Sequence, residues 1–135
     1  MGIDMSLSRR AKGAEKAEVL IDWWDAEAIH GYFVAISPTG VKNCEANKVT
    51  KANLNALLAL CELVMKKYFE GDDEFLRCAK RFLPTPDGVY DSWYIRELGY
   101  TIAELKKLLD DWDNIVAPDD ELTYLADFFG DRELL

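Results

Sequence analysis

Between residues 91 and 113 the chain carries an apolar stripe that only a long, one-sided helix can bury. Tyr94, Leu98, Thr101, Leu105, Leu108 and Trp112 recur at alternating spacings of four and three, with Ile95, Ile102 and Leu109 beside them. At about 3.6 residues per turn that is a helix of roughly six turns with one broad hydrophobic face. Asp91 is placed to cap its first turn, and Tyr90 and Ile95 stand where a hydrophobic staple would close the entry. Such a helix gains its stability from what it packs against, so the rest of the chain has to supply partners for it.

The other periodic segments read as those partners. The spacing of Trp23, Ala26, His30 and Phe33 predicts a helix over 14–36, ended by Ser37-Pro38-Thr39-Gly40. Gly31 inside it points to a close helix crossing or a kink. Thr50 caps a second helix over 50–69, with Leu54, Leu57, Leu58, Cys61, Met65 and Tyr68 inward, and Gly71 stops it. Asp72 or Asp73 opens a short third helix with Phe75, Ala79, Phe82 and Leu83 inward, and Pro84-Thr85-Pro86-Asp87-Gly88 breaks the chain into a turn. After Ala117-Pro118, a last helix takes Leu122, Leu125 and Phe129 as its apolar side and closes at Gly130. The expected fold is therefore all-α: a single-domain bundle of four to five helices over 14–135, preceded by a flexible N-terminus over 1–13.

Charge narrows the function. Of the 135 residues, those at 1–67 hold 8 acids and 9 bases, whereas those at 68–135 hold 17 acids and 7 bases, so nearly all of the net −9 lies in the second half. Such a field disfavours nucleic acid and membrane surfaces and favours basic protein surfaces. No apolar run approaches the ~18–20 residues of a membrane span. Cys44, Cys61 and Cys78 are too few for a disulfide framework and read as reduced thiols, which makes the chain read as cytoplasmic. The start, Met1-Gly2-Ile3-Asp4-Met5-Ser6 followed by Arg9 and Arg10, fits the loose N-myristoylation pattern, but Met5 is an equally good start.

Several blocks occur in a fixed order: Ala26-Glu27-Ala28-Ile29-His30-Gly31-Tyr32-Phe33-Val34, Gly40-Val41-Lys42-Asn43-Cys44, Leu83-Pro84-Thr85, and Tyr90-Asp91-Ser92-Trp93-Tyr94 with Leu98 and Thr101. As a set, spanning roughly 24–109, they resemble a family of short uncharacterised proteins found mostly in phages and prophages. The chain departs from that pattern by a longer tail after Leu109 and extra residues at its N-terminus. The resemblance carries no activity. It implies a phage-type context, in which small stoichiometric inhibitors of host systems are common.

The candidate chemistry is sparse. His30 is the single histidine, and a nucleophilic arrangement would pair it with Cys44, oriented by Asn43 or Asp91. A packing histidine bonded to a loop carbonyl or to the Asp91 cap explains it better, so no catalytic residue, metal or cofactor is assigned. Two surfaces remain. The first is an acidic C-terminal surface of Asp110, Asp111, Asp113, Asp119, Asp120, Glu121 and Asp127. Acids at a helix C-terminus oppose the macrodipole, and their density along an axis rising about 1.5 Å per residue approximates the one charge per about 1.7 Å of DNA. The expected function is a non-enzymatic inhibitor that mimics nucleic acid on a basic, nucleic-acid-handling host complex such as a CRISPR effector or a restriction enzyme. The second is an aromatic pocket for a small molecule, built by Trp24, His30, Trp93 and Tyr94. A structural accessory role, homo-oligomer included, stays open beside both.

Overall fold

Ile3, Met5 and Leu7 alternate with Asp4, Ser6 and Ser8, which is the period of a strand with one face buried. In a computed structural model that describes residues 2–42, 44–85 and 90–128, this segment is β1 (Ile3–Arg10). It is followed by β2 (Glu18–Trp24), α1 (Glu27–Ile36), β3 (Asn47–Lys48), α2 (Lys51–Glu70), α3 (Asp73–Ala79), α4 (Ser92–Asp110), α5 (Trp112–Ile115) and β4 (Glu121–Phe128). The strands form one antiparallel sheet in the order β2-β1-β4-β3.

The all-α expectation is therefore overturned. The segment expected to be flexible supplies a central strand, with Asp4 opposite both Trp24 and Asp127 and Met5 opposite both Trp23 and Ala126. The helix expected over 14–36 is two elements. Residues 18–24 extend as β2, Asp25 turns the chain at a left-handed φ of 53°, and only 27–36 are helical. The helix expected after Ala117-Pro118 is β4, in which Leu122, Tyr124 and Ala126 face inward while Leu125 lies half-buried on the opposite side. Phe129 and Gly130 lie outside the described residues, as do Asn43 and the turn residues Pro86-Asp87-Gly88.

The central helices follow the sequence closely. The Thr50 hydroxyl accepts from the Asn53 N–H while the Asn53 side chain accepts from the Thr50 N–H, a reciprocal cap on α2. Gly71 ends α2 at a left-handed φ of 75°, a geometry that favours glycine. Asp72 caps α3; its last residue Ala79 and the following Leu83 are buried, whereas Phe82, expected to point inward with them, is 52% exposed. The Asp91 carboxylate accepts from the N–H groups of Trp93 and Tyr94, and Tyr90 and Ile95 are both buried.

The helices lie on one face of the sheet. Phe33 of α1 stacks on Tyr124 of β4 with centroids 3.9 Å apart, and Trp23 of β2 donates its indole N–H to the Thr101 hydroxyl of α4 at 2.9 Å. The Thr101 hydroxyl in turn donates to the Glu97 carbonyl at 2.8 Å, so this buried polar pair is satisfied. Tyr32 of α1 donates to the Asn53 carbonyl of α2. Gly31 is needed for a close approach, but not of another helix: a Cβ there would stand 2.2 Å from the Pro84 ring. The opposite face of the sheet carries Asp4, Ser6, Ser8, Arg10, Asp22, Trp24, Glu121, Thr123, Leu125 and Asp127, a mostly polar surface.

Candidate functional site

The acidic residues at the C-terminal end of α4 divide into two groups. Asp110, Asp111, Asp113 and Asp119 are exposed, and among the described residues none forms an ion pair. Asp111 accepts from the Asn114 amide at 2.6 Å, and the Lys51 ammonium lies 5.3 Å from the centroid of Trp112. Asp120 is different. Its side chain is 3% exposed and takes the Ala117 N–H at 2.8 Å and the Arg9 guanidinium at 3.0 Å, which hold its carboxyl below the usual carboxylate range. Arg9 also bridges to Glu18 at 2.7 Å, and Arg10 to Glu121 at 3.7 Å. The β1–β2 hairpin thus neutralises part of the acidic run from within. Asp127 sits at the far end of β4, six residues and about 20 Å of strand from Glu121.

The four residues expected to share an aromatic pocket are also divided. Trp24 and Trp93 do line one groove, about 190 Å³ in volume, between the edge strand β2 and the first half of α4, with Asp22, Trp23, Glu97 and Tyr100. His30 does not line it. Its Nδ1 is 2.8 Å from the Tyr124 hydroxyl and its ring is edge-on to Phe128, and burial lowers its pKa. Its partner is therefore a strand tyrosine, not the Asp91 cap. Tyr94 is buried, with its hydroxyl 3.4 Å from a Glu27 carboxylate oxygen. Cys44 is exposed at a positive φ of 60°, and its backbone N–H bonds the Ala126 carbonyl.

Several members of the groove escape a reading based on the helical stripe. Asp22 and Trp24 point to one side of β2, whereas Trp93, Glu97 and Tyr100 recur at i, i+4 and i+7, a second stripe of α4 beside the core stripe. The Tyr100 hydroxyl donates to the Asp22 carbonyl at 2.7 Å, fastening α4 to the sheet edge. Burial first, then the charges of Asp22 and Glu104, push the Tyr100 phenol up to about 12. Burial raises the Glu97 carboxyl, Arg96 offsets that in part, and Asp25 adds to it. One Asp25 carboxylate oxygen is buried with no hydrogen-bond partner among the described residues. The run Asp22-Trp23-Trp24-Asp25, two aromatics between two acids, is the signal that marks this edge in the sequence.

Among the described residues no three His, Cys, Asp or Glu side chains gather as metal ligands, and no helix is long and apolar enough to cross a membrane. Comparison with family models, with curated proteins and with solved structures finds no match to the chain.

Proposed function

We propose that this protein is a non-enzymatic binding protein whose partner presents a basic surface, engaged by the C-terminal end of α4 and the turn before β4. The observation that carries this is the exposure of Asp110, Asp111, Asp113 and Asp119, from the end of α4 through α5 to the turn before β4, without ion pairs among the described residues. At the end of α4 the macrodipole is also negative, so Asp110 and Asp111 are unfavourably placed in the isolated chain and are relieved by a cationic partner. In its specific form the reading is an inhibitor of a nucleic-acid-handling host complex. The phage-type blocks in 24–109 and the acidic excess of the second half support that form. The acids that carry the function are then fewer than the sequence run contains, because Asp120 and Glu121 already answer Arg9 and Arg10.

The test is capture from host extract at low and high salt by the native chain and by a variant with Asp110, Asp111, Asp113 and Asp119 changed to lysine. Capture of a basic nucleic-acid enzyme that fades with salt and disappears in the variant is expected. Capture that survives the four changes would sink the reading. Asp120 has to stay as it is in this design, since reversing it would break the bond to Arg9 and confound folding with binding.

A further inference from the structure

The groove beside Trp24 carries a second, independent assignment. We infer that it is a receptor for one arginine or lysine side chain presented by a partner protein, with the cation set against the rings of Trp24 and Trp93 and faced by Asp22 and Glu97. The inference shares with the proposed function only the basic character of the partner. Its site is elsewhere, because Trp93 and Asp110 are separated by 17 helical positions, about 25 Å along α4.

Exposure is the first argument. Trp24, Trp93 and Tyr100 are 54%, 43% and 38% exposed, three large aromatic side chains around one groove in a protein that buries Trp23, Tyr32, Tyr90, Tyr94 and Tyr124. Indole faces attract cations through their quadrupole, tryptophan most strongly. Charge is the second. Asp22 and Glu97 line the groove, Asp4 stands directly across the ladder from Trp24, and Asp25 follows it. Arg96 is the base next to Glu97 and acts on its carboxyl, while the residues that line the groove include two acids and no base. Burial raises the Tyr100 phenol first, and the charges of Asp22 and Glu104 add to it. The third is strain. Asp25 holds a left-handed φ of 53° and a buried carboxylate oxygen without a hydrogen bond among the described residues, a combination that clusters at binding sites.

Size and covering decide the occupant. At about 190 Å³ the groove is smaller than the roughly 300–1,000 Å³ of sites for drug-sized ligands, which leaves room for a single long side chain. The free edge of β2 invites a pairing strand, but Tyr100 already occupies the Asp22 carbonyl. Capture of a side chain is therefore favoured over addition of a backbone, and affinity has to come from cation–aromatic contact and charge.

The experiment uses the full chain labelled with ¹⁵N, whose four indole N–H groups (Trp23, Trp24, Trp93, Trp112) report each region separately. The probe is a glycine-serine peptide with one central arginine, compared with the same peptide carrying neutral citrulline and with free arginine amide. The arginine peptide is expected to move the Trp24 and Trp93 signals and leave Trp112 still, with citrulline inert and the free amide weaker. Trp93→Ala is expected to weaken binding roughly threefold to thirtyfold, and Glu97→Gln to weaken it as well. An equal response to citrulline, silence of both groove indoles at millimolar peptide, or movement confined to Trp112 would each overturn the site. Free amide binding as tightly as the peptide would overturn the protein source. Loss of partner capture in the four-lysine variant leaves this readout untouched, so the two readings fail separately.

Discussion

At the scale of single residues, the described glycine with least room for a side chain is Gly31, where α1 meets the loop after α3. In a free helix, replacing glycine by alanine gains about 1 kcal/mol. At Gly31 the added Cβ would lie 2.2 Å from Cγ and 2.4 Å from Cδ of Pro84, and a proline ring cannot swing aside as the end of a lysine can. Overpacking of this kind typically costs about 1–3 kcal/mol. Gly31→Ala is therefore expected to lose up to about 2 kcal/mol net in urea unfolding, with an unchanged m-value. A gain in stability would show that the Pro84 segment yields. Thr101 makes the same point through polarity: its hydroxyl is the acceptor for the buried Trp23 N–H, so its place on the apolar stripe of α4 is set by a hydrogen bond across to the sheet.

At the scale of elements, the sheet is built by β1, and its role can be tested through the period of two. Met5 is fully buried between Trp23 and Ala126, whereas Ser6 points to the outer face. Met5→Asp should abolish the cooperative transition or cost several kcal/mol, because it buries an unpaired charge. Ser6→Lys should stay within about 1 kcal/mol of the native chain. Similar small effects at both positions, read by thermal and urea unfolding, would mean that the segment is loose. The amphipathic helices α2 and α4 and their caps were legible because a stripe of five or six apolar positions admits one period. The strands were not, for physical reasons that differ. In 3–10 the alternation is present, but its polar half is short serines and one aspartate, which resemble a solvated tail. In 18–36 a three-four spacing runs by chance across the Asp25 turn, joining Trp23 of a strand to His30 and Phe33 of a helix. In β4, acids at the entry mimic the first turn of a helix, while Asp120 in fact receives Arg9 from 111 residues away. Of the candidate site, the pairing of Trp24 with Trp93 was legible as an offset from the core stripe. Asp22, Glu97 and Tyr100 required knowledge of which strand lies beside α4.

At the scale of the whole molecule, the titrating groups are distributed so that stability has a plateau with a limb on each side. His30 is the acid-side group with the highest ordinary pKa, 6.5, and burial lowers it in the fold. Below pH 6.5 the unfolded chain binds a proton that the folded chain refuses, so stability falls as pH drops from 6.5 through the lowered value. Asp120 adds a second acid step. Its folded pKa lies below 3.8, so its contribution is present above that value and is lost as pH falls through the folded pKa. Glu97 works in the opposite sense, since a raised carboxyl favours the fold as pH falls, and it blunts the region between the two steps. On the alkaline side, burial pushes the Cys61 thiol from 9.0 up to about 12, and Tyr100 reaches about 12, with Tyr90 and Tyr124 also raised. The unfolded chain gives up these protons first, so stability is complete below about pH 9 and declines above it. Urea midpoints measured from pH 4 to 11 are expected to be level between roughly pH 6.5 and 9 and to fall on both sides. His30→Gln should remove the limb that begins at 6.5 while leaving the alkaline limb in place. An acid limb that persists in that variant would assign the step to carboxylates, and would mean that the His30–Tyr124 contact at the junction of α1 and β4 does not control the response of the fold to pH.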